Sequence, residues 1–371
     1  MKYYIIAGEA SGDLHGSNLM KSIYNEDSNA IIRFWGGDLM QSMGGTLVKH
    51  YRDLAFMGFL EVVLNLKTIL NNIKFCKSDI DSFQPDIIIF IDYPGFNMRI
   101  ASWAKQKKIP THYYISPQIW AWKENRIHAI KRDVDYMYVI LPFEKDFYEG
   151  KHNFPVNFVG HPLIDAIHSR NKIDKESFIL ENKLSQKPII ALLPGSRKQE
   201  ILKMLSGMLS VVKDFPDYQF VIAGAPSQEF SFYEPFLRKE NVHFISNRTY
   251  DLLSVSHAAL VTSGTATLET ALFKVPEVVC YKGSWVSYQI AKRIITLKYI
   301  SLVNLIMDKE VVKELIQNDF NSKNIIMELN KILKGEEREK MLENYSILEK
   351  KLGGEGASKK TAHLIVSSIK K

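Results

Sequence analysis

The sequence predicts an α/β protein with two doubly wound lobes in tandem, each built around a parallel sheet. Nearly unbroken apolar runs such as Ile87–Ile91 and Ile189–Leu193 are typical of parallel strands that are covered on both faces. Amphipathic segments separate these runs, and on one of them Ile201 and Leu205 recur at helical spacing. Because the strand series restarts after a polar, charge-rich stretch at residues 167–187, two lobes are favoured over one long sheet.

Strand–helix alternation continues through both lobes and predicts a Rossmann-like architecture for each. The first lobe is expected to hold strands at Tyr3–Ala7, Ile31–Phe34, Ile87–Ile91, Thr111–Ile115, Tyr136–Ile140 and Val156–Val159. The second is expected to hold strands at Ile189–Leu193, Gln219–Ala223, Val242–Ile245, Ala258–Val261 and Glu277–Tyr281. The predicted domains are residues 1–166, a linker at 167–187, residues 188–341, and C-terminal helices at 342–371.

Composition excludes several protein classes. The 371 residues are 46% hydrophobic and 24% charged, which is typical of a globular protein rather than a disordered or fibrous one. The two cysteines, Cys76 and Cys280, are too few and too distant for a disulfide framework or a zinc ribbon. A net charge of +7 fits an anionic partner but does not choose among nucleotide phosphate, anionic lipid and nucleic acid. Since no segment offers roughly 20 consecutive apolar residues, a cytoplasmic protein with at most peripheral membrane contact is expected.

Ligands of open α/β sheets bind beyond the carboxyl ends of the strands, so the strand-to-helix junctions are the candidate sites. In the first lobe, the junction after strand one runs from Gly8 to Asp13, and its glycines would let a ligand approach the backbone. The alternative is a tight turn in which Ser11 or Asp13 caps the helix. After the Ile87–Ile91 strand comes Asp92, which could act as a general base, although Asp-x-Pro-Gly is also a common turn composition.

Two tryptophans follow another first-lobe strand. Trp120 and Trp122 could form an apolar wall for a ligand, or they could be core packing.

The second lobe opens with Gly195, Ser196 and Arg197 at a helix start. Backbone donors, the positive end of the helix dipole and one fixed cation would together bind a pyrophosphate. The alternative is an ordinary helix cap with exposed basic residues.

A second phosphate-binding candidate lies at residues 262–269, where four hydroxyl side chains and one glycine precede a helix. Glu269 lies one turn inside that helix and could accept hydrogen bonds from ribose hydroxyls. A capping box would need Ser or Thr three residues earlier, but that position is Ala266, so a purely structural explanation of Glu269 is weaker.

Neither a metal nor a cofactor is expected. The histidines lack the spacing that places two ligands on one face, and both Asp-x-Asp triplets are interpreted as solvated surfaces. Residues 54–64 are too densely apolar for one face of an exposed helix. They form either a buried helix or a surface that grips acyl chains or a membrane. Basic clusters such as Lys105, Lys107 and Lys108 could support docking to anionic headgroups.

At these junctions the sequence resembles the lipid-A-disaccharide synthases, which are inverting glycosyltransferases of the GT-B fold. The matching motifs occur in family order from residue 8 to about residue 317. They are Gly8-Glu9-Ala10-Ser11-Gly12-Asp13, Met57-Gly58 with Glu61-Val62, Asp92-Tyr93-Pro94-Gly95-Phe96-Asn97, Tyr114-Ile115-Ser116-Pro117 with Trp120-Ala121-Trp122, Leu141-Pro142-Phe143-Glu144, Gly160-His161-Pro162, Leu193-Pro194-Gly195-Ser196-Arg197, Ser263-Gly264-Thr265-Ala266-Thr267-Leu268-Glu269, and Tyr299 to Asn304.

The resemblance implies two lobes facing a cleft and transfer of a diacylglucosamine from UDP to the 6-hydroxyl of diacylglucosamine 1-phosphate. It implies peripheral association with the anionic cytoplasmic face of the inner membrane, and by fold analogy residues 342–371 pack back on the first lobe. Asp92 is the first candidate for the base, with Glu9 and Asp13 in reserve. The implied UDP-sugar ligands are Gly195, Ser196, Arg197, Ser263, Gly264, Thr265, Ala266, Thr267 and Glu269, with Tyr281 and Asn304 as weaker candidates. The implied acceptor-side residues are Ser11, Gly12, Asn97, Ser116 and Trp120, and the acyl or membrane residues are Phe56, Met57, Phe59, Leu60 and Val63.

Two other function classes fit the same scaffold. A sugar-nucleotide epimerase would form product from the UDP-sugar alone, and a non-catalytic binding module would bind UDP without turnover. The apolar segment at residues 54–64 argues against both, because it suggests a lipid substrate.

Overall fold

The computed structural model describes residues 1–54, 66–237, 241–283 and 297–369. The chain divides into two compact units. The first unit comprises residues 1–168 and 352–371, and the second comprises residues 169–351. Each unit has its own parallel sheet, so the predicted two-lobed α/β fold is confirmed.

The sheet of the first unit has seven parallel strands in the order β3-β2-β1-β4-β5-β6-β7. They are β1 Lys2–Ala7, β2 Ile31–Gly36, β3 Thr46–His50, β4 Ile87–Ile91, β5 Thr111–Tyr114, β6 Tyr136–Val139 and β7 Asn157–Phe158. Every residue of β4 is buried, as its unbroken apolar sequence predicts. β1 pairs with β2 on one side and with β4 on the other, so the connections diverge here and leave a crevice at its carboxyl end.

Eight helices accompany this sheet within the described residues. They are α1 Ala10–Glu26, α2 Asp38–Ser42, α3 Leu66–Phe83, α4 Pro94–Gln106, α5 Ile127–Asp133, α6 Pro142–Lys145, α7 Pro162–His168 and the final helix, α16 Ala357–Ile369. The final helix packs against α1 and α7. The final helix therefore belongs to the first unit.

The sheet of the second unit has six parallel strands in the order β10-β9-β8-β11-β12-β13. They are β8 Ile189–Leu193, β9 Gln219–Gly224, β10 Val242–Ser246, β11 Ala258–Thr262, β12 Glu277–Tyr281 and β13 Lys313–Ile316. β8 lies between β9 and β11 and thus repeats the divergence seen at β1. Eight described helices accompany this sheet: α8 Lys175–Glu181, α9 Lys198–Met208, α10 Phe230–Tyr233, α11 Thr249–Val255, α12 Thr265–Leu272, α13 Leu302–Met307, α14 Ser322–Leu333 and α15 Glu336–Lys351.

Two strands were missing from the prediction, β3 and β13. Each lies at the edge of its sheet and pairs with one neighbour only. Their sequences mix charged with apolar residues because one side of an edge strand remains accessible, so the unbroken apolar signal is absent.

The segment proposed as a linker contains α8, whose Phe178 is fully buried in the core of the second unit. Residues 342–351 belong to α15 of the second unit, so the change of unit comes at Leu352 rather than at residue 342. There the chain passes close to Gly160: a Cβ on Gly353 would lie 3.0 Å from the Gly160 Cα, and both glycines have positive φ angles. Asp165 caps the returning helix, since its two carboxylate oxygens accept hydrogen bonds from the Gly356 and Ser358 N–H groups at 2.6 and 3.1 Å.

Candidate active site

A cavity of about 320 Å³ lies at the carboxyl end of the second sheet, beyond the adjacent strands β8 and β11. Its walls come from the ends of β8, β9 and β11 and from the starts of α11 and α12. The lining residues are Leu193, Pro194, Gly195, Ser196, Glu200, Ala223, Gly224, Ala225, Pro226, Thr249, Thr262, Ser263, Gly264, Thr265, Ala266 and Glu269. Both predicted phosphate-binding turns therefore open into one cavity.

Glu269 lies on this wall, on the second turn of α12. The Tyr250 hydroxyl donates a hydrogen bond to its Oε1 at 2.9 Å. Burial raises the pKa of Glu269, and the bond from Tyr250 offsets part of that rise by stabilising the charged form. Within the described part of the chain, the second carboxylate oxygen accepts no hydrogen bond, so it can accept one from a ligand.

The turn before α9 contributes Gly195 and Ser196. Gly195 has a φ of +103°, a conformation that favours glycine, and this turns the chain sharply out of β8. Arg197 is exposed at the N-cap of α9. Unlike Gly195 and Ser196, it does not line the cavity.

The turn before α12 combines a bound hydroxyl with an unsatisfied one. The Ser263 hydroxyl donates to the Ile300 carbonyl at 2.8 Å. Thr262 lines the cavity and is 4% exposed, and its Oγ1 has no hydrogen-bond partner among the residues that the structure describes. A buried hydroxyl without a partner has a free-energy cost that a polar ligand would remove. Gly264, with a φ of +136°, exposes the start of α12 to that ligand.

Besides Arg197, three predicted UDP-sugar ligands do not line this cavity. Thr267 is fully buried, and its hydroxyl donates to the Gly264 carbonyl at 2.9 Å, so it stabilises the turn itself. Tyr281 is half-buried at the end of β12 and does not line the cavity.

Asn304 is the third, and its side chain is fully engaged. Its Nδ2 donates to the Val312 carbonyl and to Glu314, and its Oδ1 accepts from the Val311 and Val312 N–H groups, all within 2.7–3.0 Å. Glu314 also accepts from the Ile300 N–H, so Asn304 supports the segment that holds Ser263 rather than contacting the cavity.

In the first unit, Asp92 lies directly after β4 in an unusual backbone conformation. Asp92 and Tyr93 have φ angles of +44° and +49°, so two consecutive non-glycine residues adopt the left-handed region. The Asp92 carbonyl accepts hydrogen bonds from Asn97 Nδ2 and from the Tyr113 hydroxyl, both at 2.7 Å. These bonds hold a backbone conformation that non-glycine residues rarely adopt.

Electrostatics around Asp92 suit proton abstraction. Burial, with smaller contributions from Glu9 and Glu144, raises the pKa of Asp92 from its usual range to about 6. Glu9 is half-buried at the N-cap of α1. A carboxylate with a pKa near neutrality is matched to general-base catalysis.

The structure assigns the other reserve base, Asp13, to a structural role. The Asp13 carboxylate accepts hydrogen bonds from the Gly37, Leu39 and Met40 N–H groups at 2.7–3.1 Å. Asp13 is only 3% exposed. It therefore caps α2 from a neighbouring helix, and these three bonds occupy the carboxylate that the sequence offered as a reserve base.

Ser11 and Gly12 lie on the first turn of α1. Ser11 is exposed there, while Gly12 is buried against Ala7, where a Cβ would lie 3.1 Å from the alanine methyl group.

Glu144, which the sequence did not single out as a site residue, organises the loop after β5. It is buried and accepts hydrogen bonds from the Ser116 hydroxyl at 2.5 Å and from Trp120 Nε1 at 3.1 Å. Its second oxygen accepts from the Ile140 and Leu141 N–H groups. The bond to Glu144 fixes the Trp120 side chain, which is partly buried. Trp122 is 46% exposed, and the charged groups of Lys123 and Arg126 lie over its ring.

The acyl or membrane residues Phe56, Met57, Phe59, Leu60 and Val63 lie outside the described residues. None of the helices in the described ranges combines the length and the apolar character that crossing a bilayer requires. Across those same ranges, no group of three or more histidine, cysteine, aspartate or glutamate side chains is arranged to hold a metal ion.

Comparison with known proteins decides the family. A sequence model of the lipid-A-disaccharide synthetases matches residues 3–367. The chain belongs to the lipid-A-disaccharide synthase family. A lipid-A-disaccharide synthase of Syntrophus aciditrophicus is 38% identical over 377 residues, covering 99% of this chain and 97% of that protein. One from Coxiella burnetii strain Dugway 5J108-111 is 40% identical over 336 residues, covering 89% and 88%.

Solved structures agree on the fold. The UDP-GlcNAc 2-epimerase of Neisseria meningitidis, bound to UDP-GlcNAc, superimposes with a TM-score of 0.69 at 14% identity, and both chains are covered completely. The glycotransferase of kitacinnamycin gives a TM-score of 0.67 at 13% identity, covering 99% of this chain and 98% of that one. At this identity the likeness supports the GT-B fold alone, while membership of the lipid-A-disaccharide synthase family makes this chain a glycosyltransferase.

In this lipid-A-disaccharide synthase family member, sequence patterns did not reveal Tyr250, Glu200 and Glu144 as contributors to the two sites, whereas Thr262 was one of the four hydroxyl residues of the predicted phosphate-binding turn. Glu144 and Glu200 lie within or next to the motifs quoted above, and each is a carboxylate in the first turn of a helix. That position was the sequence signal by which both could have been found. The role of Tyr250 depends on a contact 19 residues away and has no local signature.

Proposed function

We propose that this chain transfers a 2,3-diacylglucosamine from its UDP derivative to the 6-hydroxyl of 2,3-diacylglucosamine 1-phosphate, with inversion at the anomeric carbon. In a single displacement, a carboxylate takes the proton of the acceptor hydroxyl while that oxygen bonds to the anomeric carbon. The bond from that carbon to the diphosphate breaks, and its electron pair leaves with UDP. The products are the β-1,6-linked disaccharide 1-phosphate and UDP.

The cavity of the second unit is proposed to bind UDP. The observation that carries this proposal is the convergence of two amide-rich turns, at Gly195 and Gly264, on one cavity that also holds Glu269. The turns would bind the diphosphate through N–H groups, and Glu269 would accept from ribose hydroxyls. Ser196, Ser263, Thr265 and Ala266 also line the cavity, and Arg197 would turn in from the surface to pair with the developing negative charge.

Asp92 is proposed as the general base. Its raised pKa, its position after β4 and the hydrogen bonds that fix its backbone support this role. Glu9 would act on Asp92 through its charge. Ser11, Gly12 and Trp120 would contact the acceptor sugar, with Asn97 and Ser116 acting as positioning residues.

The apolar segment at residues 54–64 is proposed to bind acyl chains beside an anionic membrane surface. Exposed Lys107 and Lys108, together with Lys105, would support peripheral binding. Vesicle flotation tests this: retention on vesicles rich in anionic lipid and release by high salt are expected, and equal behaviour on neutral vesicles would contradict it.

The reaction is tested by incubating the purified protein with the UDP-linked donor, with and without the acceptor, and following UDP release. Release that requires the acceptor is expected. Conversion of donor alone would indicate an epimerase, and UDP binding without release would indicate a binding module. Asp92→Asn should lower turnover by about 10²–10⁴-fold if this carboxylate is the base. Near-normal turnover in that variant would remove Asp92 from the role.

A further inference from the structure

Glu200 occupies a position in the cavity that no part of the proposed reaction uses. It lies in the first turn of α9, and its carboxylate folds back toward the turn from which the helix starts. The Ser196 N–H group donates a hydrogen bond to Glu200 Oε2 at 3.3 Å. The carboxylate also fills the space in front of Gly195, because a Cβ at that residue would collide with it.

A carboxylate at this point resembles the expected ligand. Helix N-termini attract negative charge because their first N–H groups lack partners inside the helix. Glu200 supplies that charge from within the chain, and Gly195 and Ser196 are also the residues that face the proposed diphosphate. A diphosphate bound there and a carboxylate on the same N–H group would repel each other and compete for one donor.

The neighbourhood does not fix Glu200 in place. Among the described residues no lysine or arginine forms an ion pair with it, and the bond to Ser196 is long for a charge-assisted contact. Lys203 is exposed one turn further along the same helix, within reach of a carboxylate three residues before it. Glu200 therefore has a second position available that leaves the Ser196 N–H free.

We propose that Glu200 is an internal competitor for the diphosphate site. It occupies the Ser196 N–H while the cavity is empty and swings out when UDP or the UDP-sugar enters. It thus weakens binding of the nucleotide and accelerates release of UDP after transfer. This inference rests on the proposed binding of UDP in this cavity.

The test is titration of UDP by calorimetry on the full-length protein, comparing wild type with Glu200→Gln and Glu200→Ala. Glu200→Gln keeps the shape and removes the charge, whereas Glu200→Ala removes both. Each should bind UDP about 2- to 5-fold more tightly, the range expected for one charge at a helix N-terminus. Stopped-flow displacement should show UDP leaving correspondingly more slowly. Glu343→Gln, at an exposed carboxylate on α15 outside the cavity, is the matched control and should bind as wild type does.

The outcomes separate this inference from the proposed function. Unchanged or weaker binding in both Glu200 variants, with wild type still binding UDP, would overturn the competitor role alone. Absence of UDP binding in every protein, wild type included, would overturn the cavity assignment itself. A loss of affinity caused by misfolding would be recognised from the thermal unfolding midpoint, and tighter binding cannot arise from misfolding.

Discussion

The Asn97 side-chain amide donates a hydrogen bond to the main-chain carbonyl of Asp92, with 2.7 Å between Nδ2 and the oxygen. The same Nδ2 lies 3.4 Å from the carbonyl oxygens of Ile6 and Ile91. One buried side chain thus ties the carboxyl ends of β1 and β4 to the turn that carries the proposed base. The left-handed backbone at Asp92 depends on this tie, because a non-glycine residue there is strained without external support.

Asn97→Ala should release this turn. We expect kcat to fall by about 10-fold or more and the free energy of unfolding to fall by about 2–3 kcal/mol, since three carbonyl groups lose a buried donor. Steady-state kinetics and denaturant unfolding measure the two effects. Ile100→Val is the control: it trims a buried side chain on the same helix without touching Asp92, so it should lower stability and leave kcat near wild type. Equal kcat in both variants would contradict the positioning role.

The raised pKa of Asp92 predicts an acidic limb in the pH profile. The base must be ionised to accept a proton, so kcat/KM should fall about tenfold per pH unit below a pH of about 6. Glu9→Gln removes a like charge that favours protonation of Asp92, so the limb should move to lower pH. At pH 5 this variant should be about two- to fivefold more active relative to its plateau than wild type. If Glu9 were itself the base, the variant would instead lose most activity at every pH.

The raised pKa of Asp92 also makes the stability of the protein depend on pH. The folded protein holds the Asp92 proton more tightly than the unfolded chain does, so between about pH 4 and pH 6 stability falls as the pH rises. Asp92→Asn removes this dependence and should be the more stable protein at pH 8, by on the order of 1 kcal/mol. Thermal unfolding at pH 4.5 and pH 8 measures the difference. A variant less stable than wild type at pH 8 would contradict the burial of charge at this site.

Glu269 should control nucleotide affinity. Glu269→Gln is expected to weaken UDP binding by about 10- to 100-fold, the range for loss of a hydrogen bond to a charged group. Tyr250→Phe removes the bond to Glu269 and leaves the carboxylate, so only a small loss is expected. Calorimetry with UDP measures both. Matching losses would indicate that Tyr250 contacts the nucleotide directly.

Asp165 should anchor the returning C-terminal helix. Asp165→Ala leaves the Gly356 and Ser358 N–H groups without their acceptor and should cost about 0.5–2 kcal/mol, as for other N-cap losses. Asp165→Asn keeps one acceptor oxygen and should lose less. Hydrogen exchange of the amides in α16 reports the local effect. Unchanged protection in Asp165→Ala would show that packing against α1 alone holds the helix.

The sequence by itself determined the two sheets, because buried parallel strands leave unbroken apolar runs such as Ile87–Ile91, and it located the turns after them. Edge strands such as Thr46–His50 were not predicted, since their partial exposure removes the unbroken apolar run. The motifs at Gly195, Ser263 and Asp92 could be selected as candidates from their local sequence, because they follow the carboxyl ends of predicted strands, where ligands of open α/β sheets bind.

Only the tertiary structure decided which polar side chains remain available for chemistry. Asp13 and Asn304 look like site residues in the sequence, yet backbone N–H groups of other segments occupy their oxygens. Glu144 and Glu200 look like helix caps, yet one organises a loop from a neighbouring strand and the other lines the nucleotide cavity. The physical reason is that a hydrogen-bonding group is satisfied by whatever the fold brings within about 3 Å, and that partner is set by packing rather than by sequence spacing.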